Sequence, residues 1–446
     1  MELVANRADV WSLFQRLLPE SFFWAALSQA HVRENNRVYH SGVVVWLMIC
    51  QRLLARGTLE SAVLELVSEL PASFWPHPCR RLEKAMQPGG SRLSKETGAY
   101  NKARQELSLS VVEQCCDQAS RLLIGQTARA DQPQAYFFDG TTVRMPHQGD
   151  VVKAYPPPCN QHGEAHWPSL RLLVAHDLYS GVAMRPAWGA VNGPEAVSEQ
   201  SLLEQVVERL PERSVVVGDA NFGIFSVAYT AQRRGHPVVL RLTEARAKHL
   251  IGVLQDGTDR AICWKPSRED RRTHPQLPAE SCVRGRVIVR RVQPNNGAEA
   301  FLLPLFATVE DPVEAVVGLY GERWNIEVDL RSLKGELRLE HVTCTSVEMV
   351  AKEIDVAMLA YNLVRAVMWL TAEKAGLKPR AFSFTQVKNV LNAFLPRIQA
   401  DGDKRSREKR YEDMLYYLSQ CQLRRRKRPS YPRAVWPKTK AYPARH

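Results

Sequence analysis

The pattern of hydrophobic and polar positions changes twice along the chain. Up to about residue 127, apolar residues recur at spacings of three and four, as in Val43–Leu54 and Leu107–Leu123, which predicts helices. From Gln134 onwards, short apolar runs alternate with segments of helical periodicity. This second part therefore predicts a mixed α/β sheet layered with helices.

The second part is predicted to hold a strand, a hairpin, a helix, a strand, a helix and a further strand in that order. The hairpin is predicted at Leu170–His176 and Gly181–Trp188, and the first helix at Glu195–Leu210. Residues 248–300 consist of short strands with polar breaks, and we interpret them as a β-rich insertion. A returning strand is predicted at Phe301–Val309, a long helix at Pro312–Leu339 and a further helix running to about Leu370. The predicted domains are a helical region over 1–127, an α/β core over 128–247 and 301–372, the insertion over 248–300, and a helical, basic region over 373–446.

Composition excludes several classes of protein. Hydrophobic residues make up 45% of the 446 positions and charged residues 24%, as in globular proteins. The longest apolar stretch, Val43–Cys50, is far shorter than the ~20 residues of a membrane-spanning helix, so no membrane partner is expected. Nine cysteines without a Cys-x-x-Cys motif favour reduced thiols in a cytoplasm. No phosphate-binding G-x-x-x-x-G-K-[ST] loop occurs, so no nucleotide cofactor is expected.

The positive charge is concentrated at the end of the chain. The formal net charge is +13, and the last 26 residues contain nine Lys or Arg and no acid. Five of these cations are consecutive: Arg424, Arg425, Arg426, Lys427 and Arg428. Such a tail attracts polyanions such as nucleic acid, although a solvated, solubilising tail is the alternative.

Two acids each follow a short apolar run. Asp139 comes after Tyr136-Phe137-Phe138, and Asp219 follows Ser214–Gly218. Because ligands bind at the carboxyl ends of strands in open α/β sheets, these carboxylates could contribute to a divalent-metal site. Taken singly, each could equally be an ordinary turn residue.

A third group of candidates lies on the long predicted helix. At about 100° per residue, Tyr320, Arg323, Glu327 and Lys334 fall within an arc of roughly 60°. One narrow face would thus carry a carboxylate for a metal ion together with two cations and a phenol for phosphate oxygens. The alternative is a solvated face on which Arg323 and Glu327 form an i,i+4 ion pair.

The spacing Tyr320-x2-Arg323-x3-Glu327-x6-Lys334 resembles the Y-R-E-K signature of DDE transposases of the insertion-sequence-four family. The Asp139-Gly-Thr-Thr element and the Gly218-Asp-x-x-Phe222 element resemble that family's first two acids. The resemblance implies an RNase H-like catalytic core in which Asp139, Asp219 and Glu327 hold two Mg²⁺ or Mn²⁺ ions. It also implies that Tyr320, Arg323, Lys334 and Arg241 contact DNA.

The same resemblance implies cut-and-paste transposition by a prokaryotic, nucleoid-associated cytoplasmic enzyme. Its partners would be double-stranded DNA, as terminal inverted repeats and as target, and a second copy of the chain in a paired-end complex. The sequence departs from the family at Ala220, where Arg is frequent. Hairpin-forming relatives also stack a flipped base on a Trp near the end of the insertion, and the nearest aromatic residue here is Phe301. For Phe301 a core role is the alternative to stacking. An inactive DNA-binding relative and a nuclease without strand transfer stay open as rival functions.

Overall fold

The computed structural model describes residues 10–53, 57–68, 78–128, 134–160, 163–293, 299–340, 342–400 and 404–423. In the described residues up to 128 the secondary structure is helical, as the periodicity predicts. The helices are α1 (Val10–Leu17), α2 (Glu20–Gln29), α3 (Ser41–Leu53), α4 (Leu59–Ser68), α5 (Arg80–Met86), α6 (Gly98–Glu106) and α7 (Leu109–Thr127).

The centre of the protein is a mixed sheet of eight strands in the order β5-β4-β1-β6-β7-β10-β9-β8. The pairs β1–β6 and β6–β7 are parallel, and the other neighbours are antiparallel. The strands of this sheet are β1 (Ala135–Arg144), β4 (Ser169–Asp177), β5 (Ala187–Ala190), β6 (Val215–Gly218), β7 (Val238–Arg241), β8 (Asp259–Trp264), β9 (Val283–Val292) and β10 (Phe301–Ala307). A separate ribbon consists of β2 (Cys159–Asn160) and β3 (Gly163–Glu164).

Further helices connect the strands or pack on the sheet. They are α8 (Val151–Ala154), α9 (Glu199–Val207), α10 (Phe225–Arg233), α11 (Glu244–Ile251), α12 (Arg268–Thr273), α13 (Val313–Gly321), α14 (Trp324–Arg331), α15 (Val347–Ala375), α16 (Phe384–Ala400) and α17 (Lys404–Ser419). A π-helical turn, Ser332–Glu336, follows α14 directly. The expected mixed α/β architecture is thus confirmed.

The strands of the 248–300 segment belong to the central sheet. β8 pairs with β9, β9 pairs with β10, and β10 pairs antiparallel with β7. The segment therefore widens the sheet by continuing its hydrogen-bonded ladder.

Two local predictions are wrong. The returning hairpin strand, expected at Gly181–Trp188, is confined to Ala187–Ala190 after an isolated bridge between His176 and Ala183. The long helix expected at Pro312–Leu339 is broken between α13 and α14. At the break, Ile326 N–H donates to the Arg323 carbonyl and Asn325 N–H to that of Glu322, both at 3.0 Å. These hydrogen bonds between residues three apart are those of a 3₁₀ turn, which has fewer residues per turn than an α-helix. The turn lies next to Gly321, a weak helix former.

Helix α15 forms the centre of the hydrophobic interior. It is long and apolar enough to cross a membrane, but its most apolar stretch is entirely buried inside the protein. It contacts α3, α7, α16 and α17. It ends at Gly376, whose φ of 63° is a left-handed conformation that favours glycine.

A buried charge cluster ties α15 to the first helices. The Glu353 carboxylate on α15 accepts hydrogen bonds from Arg52 on α3 and Arg104 on α6. Burial alone would raise the pKa of Glu353, but the two guanidinium groups outweigh it and lower the pKa below its usual value. Arg52 also donates to the carbonyls of Leu337 and Arg338 at 3.2 Å, so the helical region is joined to the segment that follows α14.

Candidate active site

The sheet register brings the first two acids to the same level on neighbouring strands. Phe137 on β1 lies opposite Val217 on β6 in a parallel pair, and Asp139 and Asp219 each follow that pair by two residues. Parallel strands are about 4.8 Å apart, so the two side chains start close together. Asp219 follows the end of β6, as expected. Asp139 lies inside β1, opposite Val174, because β4 continues the pairing after β6 has ended.

The environment of Asp139 opposes its ionisation. Burial raises the pKa of this carboxyl to about 6, and the negative charges of Asp219 and Glu199 act in the same direction. The backbone N–H of Gly140, which donates to Oδ1 at 2.8 Å, and the nearby Arg323 lower it, but less strongly. A carboxyl whose ionised form is disfavoured by burial and by nearby negative charge is one whose ionised form a bound cation would stabilise.

Glu327 lies on α14, which packs against β1. Its Oε1 accepts a hydrogen bond from Arg323 Nη2 at 2.9 Å, and the two side chains are 31% and 27% exposed, respectively. The i,i+4 ion pair that was the alternative interpretation is therefore present. Arg323 is not a solvated surface residue, however, since its charge also acts on Asp139. The guanidinium thus acts on both the first and the third candidate acids.

The helix break changes how the four signature residues are arranged. Tyr320 belongs to α13, Glu327 to α14 and Lys334 to the π-helical turn, and Arg323 lies at the junction. The predicted arc on one continuous helix is therefore wrong in its geometry. Tyr320 still feels the charge of Asp219, and Arg323 still acts on Asp139 and bonds to Glu327. Lys334 is half-buried and has no ion pair in the described chain.

Tyr320, Arg241 and Phe301 lie together at the edge of this region. The Tyr320 side chain is 6% exposed, and burial raises the pKa of its hydroxyl, whereas Arg241 and Arg323 nearby lower it and Asp219 raises it. The Arg241 guanidinium lies 5.6 Å from the centre of the Phe301 ring, a cation–π distance. Phe301 is 39% exposed, so the core role considered for it is wrong.

One acid near the site was missed in the sequence. Glu199, the first residue of α9, contacts Gly140 and accepts a hydrogen bond from Asn221 at 2.7 Å. Helical periodicity predicts that α9 begins at Glu195, which would place Glu199 inside the helix and not at its start. Choosing Ser198 as the N-cap would have placed Glu199 at the helix start beside the sheet.

A buried acid fixes the inner side of α14. Asp329 is fully buried and accepts hydrogen bonds from Arg365 on α15 and from Arg380 Nη1 at 3.0 and 3.2 Å. His176 Nδ1 on β4 lies 3.7 Å from the same carboxylate. Because Asp329 is two residues after Glu327, this network holds the helix that presents Glu327.

The donor set suits a hard divalent cation, since it consists of carboxylate oxygens. Among the residues that the structure describes, no three His, Cys, Asp or Glu side chains are arranged closely enough to hold a metal ion. Glu327 is instead bonded to Arg323. The basic run at 424–428 lies outside the described residues, so its contribution stays a prediction.

Comparisons with known proteins identify the family. A family profile described as "Transposase DDE domain" matches residues 130–363, more than half of the chain. Over 368 residues the chain is 24% identical to a transposase, InsG, of insertion sequence element IS4 from Escherichia coli strain K12, with 79% of each chain covered. The chain belongs to the DDE transposases of the insertion-sequence-four family, and the resemblance carried by the Tyr320–Lys334 signature is confirmed.

Proposed function

We propose that this transposase moves its insertion sequence by a cut-and-paste route, using an RNase H-like core in which Asp139, Asp219 and Glu327 are the catalytic acids. The observation that carries the proposal is that Asp139 and Asp219 each come two residues after the same residue pair of two parallel strands. Arg323, which is bonded to Glu327, also acts on Asp139 through its charge. The strand order β5-β4-β1-β6-β7, in which β1, β6 and β7 are parallel, supports the RNase H-like assignment.

The three carboxylates would hold Mg²⁺ or Mn²⁺, two ions for each active site. When bound, these ions supply Lewis-acid stabilisation of the charge that develops on the attacking and leaving oxygens of an in-line displacement. The attacking group would be water in end cleavage and a DNA 3′-hydroxyl in strand transfer.

Arg323 has two possible partners in this mechanism. In the free protein its guanidinium neutralises Glu327, whereas a DNA phosphate offers the planar, bidentate contact that Arg favours. Transfer of Arg323 to the phosphate would free the Glu327 carboxylate beside Asp139. Tyr320 and Lys334 would hold neighbouring phosphate oxygens, and Arg241 with Phe301 would contact the DNA end.

The remaining parts of the chain supply binding functions in this proposal. The helical region 1–127 would bind the terminal inverted repeats, and the region after residue 373 would contact DNA or a second copy. Two ends must be cut together, so a homodimer on paired ends is expected. The insertion over 248–300 widens the sheet next to Arg241 and Phe301, where it would border the DNA end.

Incubation of the protein with Mg²⁺ and labelled element ends tests the proposal. The expected products are nicked ends followed by joined ends in target DNA. A mobility shift without nicking would indicate a DNA-binding relative, and nicking without joining would indicate a nuclease. Glu327→Gln should abolish cutting and retain end binding, whereas Glu322→Gln, which changes an exposed acid of the same segment, should leave both cutting and binding intact. Cutting by Glu327→Gln would contradict the triad.

A further inference from the structure

Glu199 lies between the strand of the first candidate acid and the loop of the second. A Cβ at position 140 would be 2.1 Å from Glu199 Oε1, so the glycine after Asp139 leaves the space in which this carboxylate lies. The N–H of the same Gly140 donates to Asp139 Oδ1 at 2.8 Å. Glu199 therefore closes the side of the site next to Asp139.

The other carboxylate oxygen of Glu199 fixes the Asp219 loop. Asn221 Nδ2 donates to Glu199 Oε2 at 2.7 Å, and the backbone N–H of Asn221 donates to Asp219 Oδ1 at 2.9 Å. Gln200 holds Asn221 as well, since its Nε2 donates to the Asn221 Oδ1 at 2.7 Å and to the Asn221 carbonyl at 3.0 Å. Two consecutive residues of α9 thus orient the residue that binds the Asp219 carboxylate.

Ordinary structural roles do not explain this arrangement. The start of α9 is capped without Glu199, because the Ser198 hydroxyl accepts from Ser201 N–H at 3.0 Å and the Ser201 hydroxyl accepts from Ser198 N–H at 2.9 Å. Among the ion pairs of the described chain none includes Glu199. Its carboxylate instead points along the edge of the site towards a neutral amide.

We propose that Glu199 is a positioning residue of the active site, acting through Asn221 to orient the Asp219 carboxylate for a divalent cation. This inference rests on the proposed function of Asp219. Outer residues that orient metal ligands typically contribute about 10- to 100-fold to metal affinity or activity. The hydrogen bond, rather than the charge of Glu199, is the part that orients Asn221.

The test compares four single variants and the double variant Glu199→Ala/Asn221→Ala with the full-length wild-type protein. Glu199→Ala removes the acceptor, Glu199→Gln keeps an acceptor oxygen and loses the charge, and Asn221→Ala removes the donor. Glu195→Ala is the matched control, because this exposed acid precedes the same helix and is outside the site. Two quantities are measured: the binding of Mn²⁺ to the free protein by calorimetry, and the rate of end cleavage in Mg²⁺ at saturating DNA.

Glu199→Ala and Asn221→Ala should each lower Mn²⁺ affinity and cleavage rate by about 10- to 100-fold, with end binding and melting temperature unchanged. The double variant should be no worse than either single variant, since both remove the same link. Glu199→Gln should stay within a few-fold of wild type, and Glu195→Ala should equal it.

Three results would overturn the proposal: Glu199→Ala behaving like Glu195→Ala, the two single losses multiplying in the double variant, or Glu199→Gln being as impaired as Glu199→Ala. Failure of the proposed function is recognised separately, because the wild-type protein would then leave labelled ends uncut. The Mn²⁺ measurements on the free protein would still decide the role of Glu199 in that case.

Discussion

The buried carboxylate of Asp329 offers the clearest test of how the helix that carries Glu327 is held. Asp329 on α14 receives hydrogen bonds from Arg365 and Arg380, and neither partner comes from its own helix. Arg380 also donates to the carbonyls of Leu178 at 2.6 Å and Asp177 at 3.0 Å. One carboxylate thus links α14 to the central sheet, to α15 and to the chain that precedes α16.

Asp329→Asn keeps the shape of the side chain and removes its charge. Arg365 is almost entirely buried and would be left without its compensating anion. Breaking a buried ion pair by removing one partner typically costs about 3–5 kcal/mol, whereas an exposed pair contributes about 0–1 kcal/mol. We therefore expect Asp329→Asn to lower the free energy of unfolding by about 3–5 kcal/mol at pH 7.

The stability that Asp329→Asn loses should depend on pH, and the direction follows from the pKa of Asp329. Burial would raise the pKa of Asp329, but Arg365, Arg380 and His176 outweigh it and lower the pKa below its usual range. A carboxylate whose pKa is lowered on folding stabilises the protein above the unfolded pKa and loses that contribution as the pH falls through the folded pKa. The difference between wild type and Asp329→Asn should therefore shrink in acid below about pH 4.

Urea denaturation of the two proteins at pH 7 and in acid measures this difference. Asp311→Asn, which removes the charge of an exposed acid before α13, serves as the control. In an Arg380→Met background, Asp329→Asn should lower the free energy of unfolding by less, because one of the partners of Asp329 is already absent. If Asp329→Asn were no less stable than Asp311→Asn, the network would not hold α14 and the reasoning would be refuted.

Two other predictions concern charge in the site and in the tail. Asp139→Asn should stabilise the free protein by up to about 3 kcal/mol at pH 8 and not at pH 4, because a pKa raised from 3.8 to about 6 makes ionisation of Asp139 destabilising as the pH rises through that window. Unfolding curves without Mg²⁺ at both pH values check this prediction, and an equal effect at both would contradict it. Deleting residues 421–446, which hold nine cations, should weaken DNA binding. It should also reduce the slope of log affinity against log salt concentration by about 0.9 for each phosphate that the tail neutralises in the wild-type complex. An unchanged slope would show that the tail does not contact DNA.

The sequence predicts those parts of the fold that depend on local pattern. The apolar runs at Ala135–Phe138 and Ser214–Gly218 mark two central strands because buried parallel strands need continuous apolar residues. The acids after these runs are at the same level in the sheet because the strands are parallel. The N-terminal helices likewise follow from spacings of three and four.

Features that depend on tertiary contacts were not predictable in this way. Asp139 lies within β1 because β4 pairs beyond it as far as Arg144, which only the folded sheet specifies. The break before Arg323 changes the angular positions of the signature residues about the helix axis. These positions cannot be calculated from a continuous helix of 3.6 residues per turn. Glu199 is an ordinary helix-start acid in the sequence, and its position becomes significant only where Gly140 and Asn221 meet it.

The central proposal is that Asp139, Asp219 and Glu327 share divalent ions once DNA is bound. The most direct measurement is the location of Mn²⁺, by anomalous diffraction, in crystals of the protein with element-end DNA. We expect Mn²⁺ coordinated by all three carboxylates, with Arg323 moved from Glu327 to a phosphate. Mn²⁺ bound without Glu327, with the Arg323–Glu327 pair still intact beside the DNA, would contradict the proposal.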